Sequence, residues 1–163
     1  MKRKIENRLP EEIIRAIIRN NVEEIEKWLN TETVNLVDKE KRSAIFYAIL
    51  NKSTELVSLF LLKKPNLNIK DKGGWTPLHY AAQSNLGEIA KLLIDNGADV
   101  ESKDDYGNTP LWRAVFAFNG KGDIIKLLLN SGADINNKND SGISPIELAE
   151  TIANYNIIQF FRN

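Results

Sequence analysis

The side chains in this chain of 163 residues with the means to do chemistry are few. His79 is the only histidine, and a lone imidazole suggests a general base. Ser-His-Asp catalysis is not excluded by count alone, but no serine sits in a G-x-S-x-G elbow. A histidine-based metal site would need more than one histidine. Cysteine is absent, which removes thiol catalysis, cysteine-bound zinc and disulfides. Asp104, Asp105, Asp134 and Asp140 could pair as carboxylates or hold a cation, yet three of them fall on hairpin or loop positions. Gly120-Lys121-Gly122 lacks the rest of a phosphate cradle, and neither G-x-x-x-x-G-K-[ST] nor G-x-G-x-x-G occurs. The expectation is a protein that is not an enzyme, with no catalytic residues, no cofactor and no metal.

Bulk composition narrows the partner. Lys plus Arg and Asp plus Glu each number 22, so the formal net charge is zero. Phosphate neutralisation needs an excess of basic side chains, so nucleic acid is not expected. No apolar run reaches the length of a membrane span. The start, MKRKIENRLPEEIIRAI, has a basic head but no apolar core before a small-residue cleavage site. A cytoplasmic, monomeric protein is expected, with export as an effector left open.

The elements that would position these residues repeat. Small residues recur at Ala16, Ala48, Ala81, Ala114 and Ala149, at spacings of 32, 33, 33 and 35. An apolar residue precedes each by three: Ile13, Ile45, Leu78, Leu111 and Ile146. A second apolar cluster follows, such as Ala90/Leu93/Ile94 and Ile125/Leu128/Leu129, at helical spacing. Thr76-Pro77 and Thr109-Pro110 predict helix starts, with Thr as cap and Pro where an N–H has no partner. Gly97 and Gly132 predict left-handed helix ends. Asp71-x-x-Gly74, Asp104-x-x-Gly107 and Asn139-x-x-Gly142 predict turns that join one helix pair to the next. A period near 33 residues is a mark of stacked repeats.

The D-x-x-G-x-TPLH-x-AA…E-I-x-x-LL…GADV pattern resembles the ankyrin repeat over roughly residues 10–163. The resemblance implies an all-α ankyrin-repeat solenoid of stacked helix-turn-helix units with β-hairpin-like connecting loops. Residues 1–9 are expected to form a flexible arm. Residues 10–163 are expected to form one domain, divided into an N-cap (10–37), repeats 38–70, 71–103 and 104–138, and a C-cap (139–163). Lys41 and Lys64 stand where the family has glycine, which predicts strain in the first two repeats, so that these open first. The resemblance also implies that His79 braces its hairpin–helix junction, in one repeat only, because Phe46, Trp112 and Glu147 fill the matching places. Lys70, Lys103 and Lys138 align as a solvated basic edge, with an acidic-partner site as the alternative. Asn35, Asn68 and Asn136 match positions that can be hydroxylated in eukaryotic members of the family.

Such arrays bind proteins through hairpin tips and the concave face of the first helices. Mapped here, that face carries Trp75, Tyr106, Phe116, Arg42, Lys72, Asp105, Asn108, Gln83 and Ile143. Large aromatics are typical interface anchors, so Trp75, Tyr106 and Phe116 lead, unless Trp75 and Phe116 merely extend the core. Repeat four has two extra residues in FAFNGKGD, and Phe118 is placed to extend its first helix and fill a groove. The function expected is a protein-interaction module, adaptor or inhibitor. The alternative is an immunity (antitoxin-type) or host-directed effector protein.

Overall fold

The computed structural model describes residues 8–152 and 157–161. The chain divides into two compact units, Met1–Asn66 and Leu67–Asn163. In the first, α1 (Glu11–Ile18) pairs with α2 (Val22–Trp28), and α3 (Ala44–Leu50) with α4 (Thr54–Leu61). In the second, α5 (Pro77–Gln83) pairs with α6 (Gly87–Asp95), and α7 (Pro110–Phe116) with α8 (Asp123–Asn130). α9 (Pro145–Thr151) follows, then a short 3-10 helix at Ile157–Phe161. Among the described residues there is no β-strand, and the hairpin-like connections are turns with one isolated antiparallel bridge, Val37–Ser43.

None of these helices exceeds nine residues, too short to persist alone in water. Packing must hold them. Ala16, Ala48, Ala81, Ala114 and Ala149 are all buried, as their recurrence predicts, and let adjacent helices approach. Leu78, Leu93, Leu111 and Leu128 are fully buried, each contributing about 2 kcal/mol relative to an exposed side chain. The helix starts match expectation at Pro77 and Pro110, and α9 begins in the same way at Pro145. The Thr109 hydroxyl accepts from the Trp112 N–H at 3.2 Å and the Ser144 hydroxyl from that of Glu147 at 3.3 Å.

The turns before α3, α5, α7 and α9 share one device. An Asx side chain accepts the N–H groups two and four residues on: Asp38 from Glu40 and Arg42, Asp71 from Gly73 and Trp75. Asp104 accepts from Tyr106 and Asn108, and Asn139 from Ser141 and Ile143. The residue three after the Asx has positive φ: 61° at Lys41, 75° at Gly74, 72° at Gly107 and 77° at Gly142. The second oxygen of each aspartate meets the helix residue nine places on: Tyr47 on Asp38, Tyr80 on Asp71 at 2.6 Å, Arg113 on Asp104. Burial and the Asp38 carboxylate push the Tyr47 phenol up to about 12.

Two expectations need correction. Leu9, expected in the arm, is buried and donates its N–H to the Val37 carbonyl at 3.0 Å; residues 1–7 lie outside the described residues. In the C-cap, Ile157–Phe161 is a 3-10 helix rather than an α-helix. Phe118 does not extend α7, which stops at Phe116. In three other repeats the residue four after the small Ala takes positive φ: Asn20, Lys52 and Asn85. Phe118 stands at that place, where its ring disfavours the left-handed region. Two added residues move that role to Gly120, with φ 97°. The freed Phe118 packs edge-on against Phe160, ring centroids 5.9 Å apart. A Cβ on Gly122 would meet the same ring at 2.5 Å. The insertion therefore seats the C-terminal turn.

The positive φ at Lys41 and at Lys64 (51°) confirms strain where the family has glycine. Lys41→Gly and Lys64→Gly should each raise the unfolding free energy, by about 0.5–1 kcal/mol after the extra entropy of the unfolded chain. Gly74→Ala should lower it, because its Cβ would lie 2.5 Å from the Asp105 nitrogen. Urea denaturation measures all three. Hydrogen exchange should show α3 and α4 opening before α5 to α8; uniform protection would contradict the assignment of strain.

Candidate partner-binding surface

On the second unit, Arg113 organises the side chains that sequence singled out. Its guanidinium donates to Asp104 Oδ2 from Nε at 2.8 Å and from Nη2 as well. The Arg113 side chain is 13% exposed and the Asp104 side chain 0%. Burial alone would raise the Asp104 carboxyl. The Arg113 guanidinium and the N–H groups of Tyr106 and Asn108 outweigh it and hold Asp104 below its usual value. The guanidinium lies 4.3 Å over the Trp75 ring and 5.6 Å from the Trp112 ring. Trp75 meets Tyr80 edge-on at 5.1 Å, and Trp112 stacks on Phe116 at 5.4 Å and 13°. Tyr80, Trp75, Arg113, Trp112 and Phe116 thus form one continuous stripe.

The expected surface residues divide. Tyr106 and Phe116 are 68% and 58% exposed, and Ile143 is 40% exposed. Lys72 and Asp105 are exposed, and the Asp105 N–H donates to the Gly73 carbonyl at 3.2 Å. Trp75 is half-buried by Arg113 and Tyr80, so it serves packing as well as surface. Gln83 is half-buried, with its side-chain oxygen buried and, among the described residues, unpartnered. Arg42, in the first unit, is half-buried, with its N–H on Asp38. Asn108 is a correction. It is 4% exposed, accepts from Asn139 Nδ2 at 2.8 Å through its side chain and from His79 through its carbonyl. It ties hairpins together and offers no tip surface.

The family model for ankyrin repeats (three copies) matches residues 13–104 and 87–139. The chain belongs to the ankyrin-repeat family. No curated protein matches it. Ankyrin repeats are generally protein–protein interaction modules, and the family is typically non-catalytic. Among the described residues no helix is long and apolar enough to cross a membrane, and no group of three His, Asp or Glu side chains is placed to hold a metal.

His79 does what the ankyrin resemblance implies. It is 0% exposed. The Thr76 N–H can only donate, and it points at Nδ1 at 3.1 Å, so Nδ1 carries no proton. Nε2 therefore carries it and donates to the Asn108 carbonyl at 3.0 Å. Desolvation by burial lowers the imidazole's value. The bracing is not confined to that repeat. Glu147 accepts from the Ser144 N–H and hydroxyl, both at 2.8 Å, and from Lys138 at 2.9 Å. Lys138 first, then Ser144, bring the Glu147 carboxyl down to about 2. Phe46 and Trp112 offer no acceptor there, and the Ser43 hydroxyl and Trp112 indole N–H are left buried without a partner among the described residues.

The lysine edge also takes part in stacking. Lys70 donates to the Lys103 carbonyl at 2.7 Å, and Lys103 to the Lys138 carbonyl at 2.8 Å. These are rungs between ankyrin repeats, each using one of an ammonium's three donors. Asparagine and glutamate side chains make further rungs within each unit. Asn35 accepts from the Asn66 N–H at 2.8 Å, Asn68 from Asp99 at 2.9 Å, and Glu101 from Asp134 at 2.9 Å. Among the described residues Asn136 makes no such rung, and its N–H donates to Asp134 at 2.8 Å.

Arg113→Ala should cost about 3 kcal/mol, because it strands a buried carboxylate. Arg113→Tyr should cost far less, since Tyr47 and Tyr80 serve the same place in their repeats; urea denaturation compares the two. His79 folds neutral and is ordinary when unfolded, so the unfolded state binds more protons below about pH 6.5. Stability should be full above that pH and fall as pH drops toward the lowered folded value. The single histidine makes the imidazole shift in proton NMR unambiguous, and a folded value above that of a free imidazole would contradict the burial account.

Proposed function

We propose that this chain is a non-catalytic adaptor or inhibitor that holds a protein partner on the stripe Tyr80–Trp75–Arg113–Trp112–Phe116, with Tyr106 beside its Asp104 anchor. The observation that carries this is the exposure of Phe116 and Tyr106 in a unit whose other large apolar side chains are mostly buried. Exposed aromatics beside an ordered arginine are the composition of binding hot spots. Phe116 is stacked on Trp112, so it loses little side-chain freedom when a partner covers it. Trp75 and Arg113 give the stripe a rigid base. Balanced charge favours a protein over nucleic acid as the partner, and one copy of the chain carries the whole stripe.

The test is capture of a partner by the tagged full-length protein from its native lysate, compared with Phe116→Ser and Tyr106→Ser. Each change should weaken capture about tenfold or more. Each should change unfolding free energy by less than about 1 kcal/mol, since both side chains are mostly in water. Leu62→Ser, exposed in the first unit, should leave capture unchanged. Full capture by both aromatic variants would show that the partner sits elsewhere.

A further inference from the structure

The first unit holds a cavity of about 250 Å³ lined by three basic side chains, Arg8, Arg15 and Lys39, two acidic ones, Glu11 and Asp38, and by Leu9, Ile14 and Tyr47. It lies against the turn that opens α3, at the place where an earlier hairpin would stack. In the second unit such stacking has a fixed form. The residue after the Asx donates its N–H to the preceding turn, as Asp105 does to Gly73 and Asp140 to Tyr106 at 3.1 Å. Lys39 holds that place in the turn of Asp38. Among the described residues its N–H meets no carbonyl.

The cavity's charges are not balanced. Glu11 is engaged by Arg15 at 3.2 Å. Asp38 is engaged by two backbone N–H groups and by the Tyr47 hydroxyl. Among the described residues the Arg8 guanidinium and the Lys39 ammonium have no carboxylate partner. Leu9 is buried and Ile14 half-buried, giving an apolar floor. Two cations and one N–H donor unpartnered among the described residues, over an apolar floor, complement one chemistry: a carboxylate side chain on an apolar stretch of backbone that offers a carbonyl.

We propose that this cavity docks an acidic loop of a protein partner. The loop's carbonyl takes the Lys39 N–H and continues the hairpin ladder, and its Asp or Glu side chain meets Arg8 and Lys39. An apolar neighbour covers Leu9 and Ile14. The site is separate in residues and chemistry from the aromatic stripe, so the two stand or fall independently.

The probe is an acetylated, amidated peptide of alternating Leu and Glu, added to the isotope-labelled full-length protein. Amide shifts should concentrate at Asp38, Lys39 and Tyr47. Binding should weaken about tenfold or more between low and physiological salt, as contacts between exposed charges do. The double variant Arg8→Gln/Lys39→Gln changes two surface side chains; it should keep the native spectrum elsewhere and lose the peptide shifts. Lys121→Gln, on the other unit, should keep them. Equal binding of the Leu–Gln peptide, the same shifts from acetate at equal carboxylate concentration, or unchanged binding by the double variant would each overturn the proposal.

Discussion

The closed Asx turn is the constraint on which the rest depends. In each of four turns a short polar side chain accepts two backbone N–H groups, at the second and fourth residues after it. That fixes the backbone leading into the capping Ser or Thr and so fixes where the next helix begins. Helices of seven to nine residues cannot set their own boundaries by propensity, since nucleation costs more than so short a ladder returns. In three of the turns the same aspartate also reaches the first helix nine residues on. Turn and helix then move as one body, and each helix pair presents its apolar side already oriented for its neighbour.

Stacking adds a second demand, which decides the uses of charge. Neighbouring turns in the second unit come close enough that a Cβ at Gly107 would lie 2.8 Å from the Asp140 nitrogen. At that separation, backbone groups at the repeat edges must find partners in the adjoining repeat. Lys70, Lys103, Asn68 and Glu101 supply them. Much of the polar surface is thereby spent on internal rungs. Residues that look like a binding stripe in the sequence, above all the aligned lysines, also serve as rungs between repeats.

The fold was legible because its signals are local. Pro77, Pro110 and Pro145 mark helix starts, the recurring Ala marks the close contact, and the Asx-x-x-Gly spacing marks the turns. The site was legible only in part, because its partnerships span nine or about 33 residues. Nothing near Asn108 says that its carbonyl will meet His79, or that its side chain will meet Asn139. Arg113 passed unnoticed for a similar reason. Tyrosine in two repeats and arginine in a third share no letter, yet each does the same work on an aspartate. Aligning the Asx-plus-nine positions as donors, rather than by residue type, would have exposed the pattern.

Departures from the repeat can therefore be sorted by whether the fold itself uses them. Phe118 and the two added residues have an internal use, since they hold Phe160. Arg113 and Trp75 have one, in closing a turn and packing over it. Glu147 in place of histidine has one, in its cap. Phe116 and Tyr106 do not. Both keep most of their surface in water, and both carry apolar area that the fold gains little by retaining. Phe116 stacks on Trp112, whose backbone N–H serves the Thr109 cap whatever its ring does. A side chain the fold does not use, held still by one that it does, is what a partner's surface requires: apolar area that loses little freedom when it is covered.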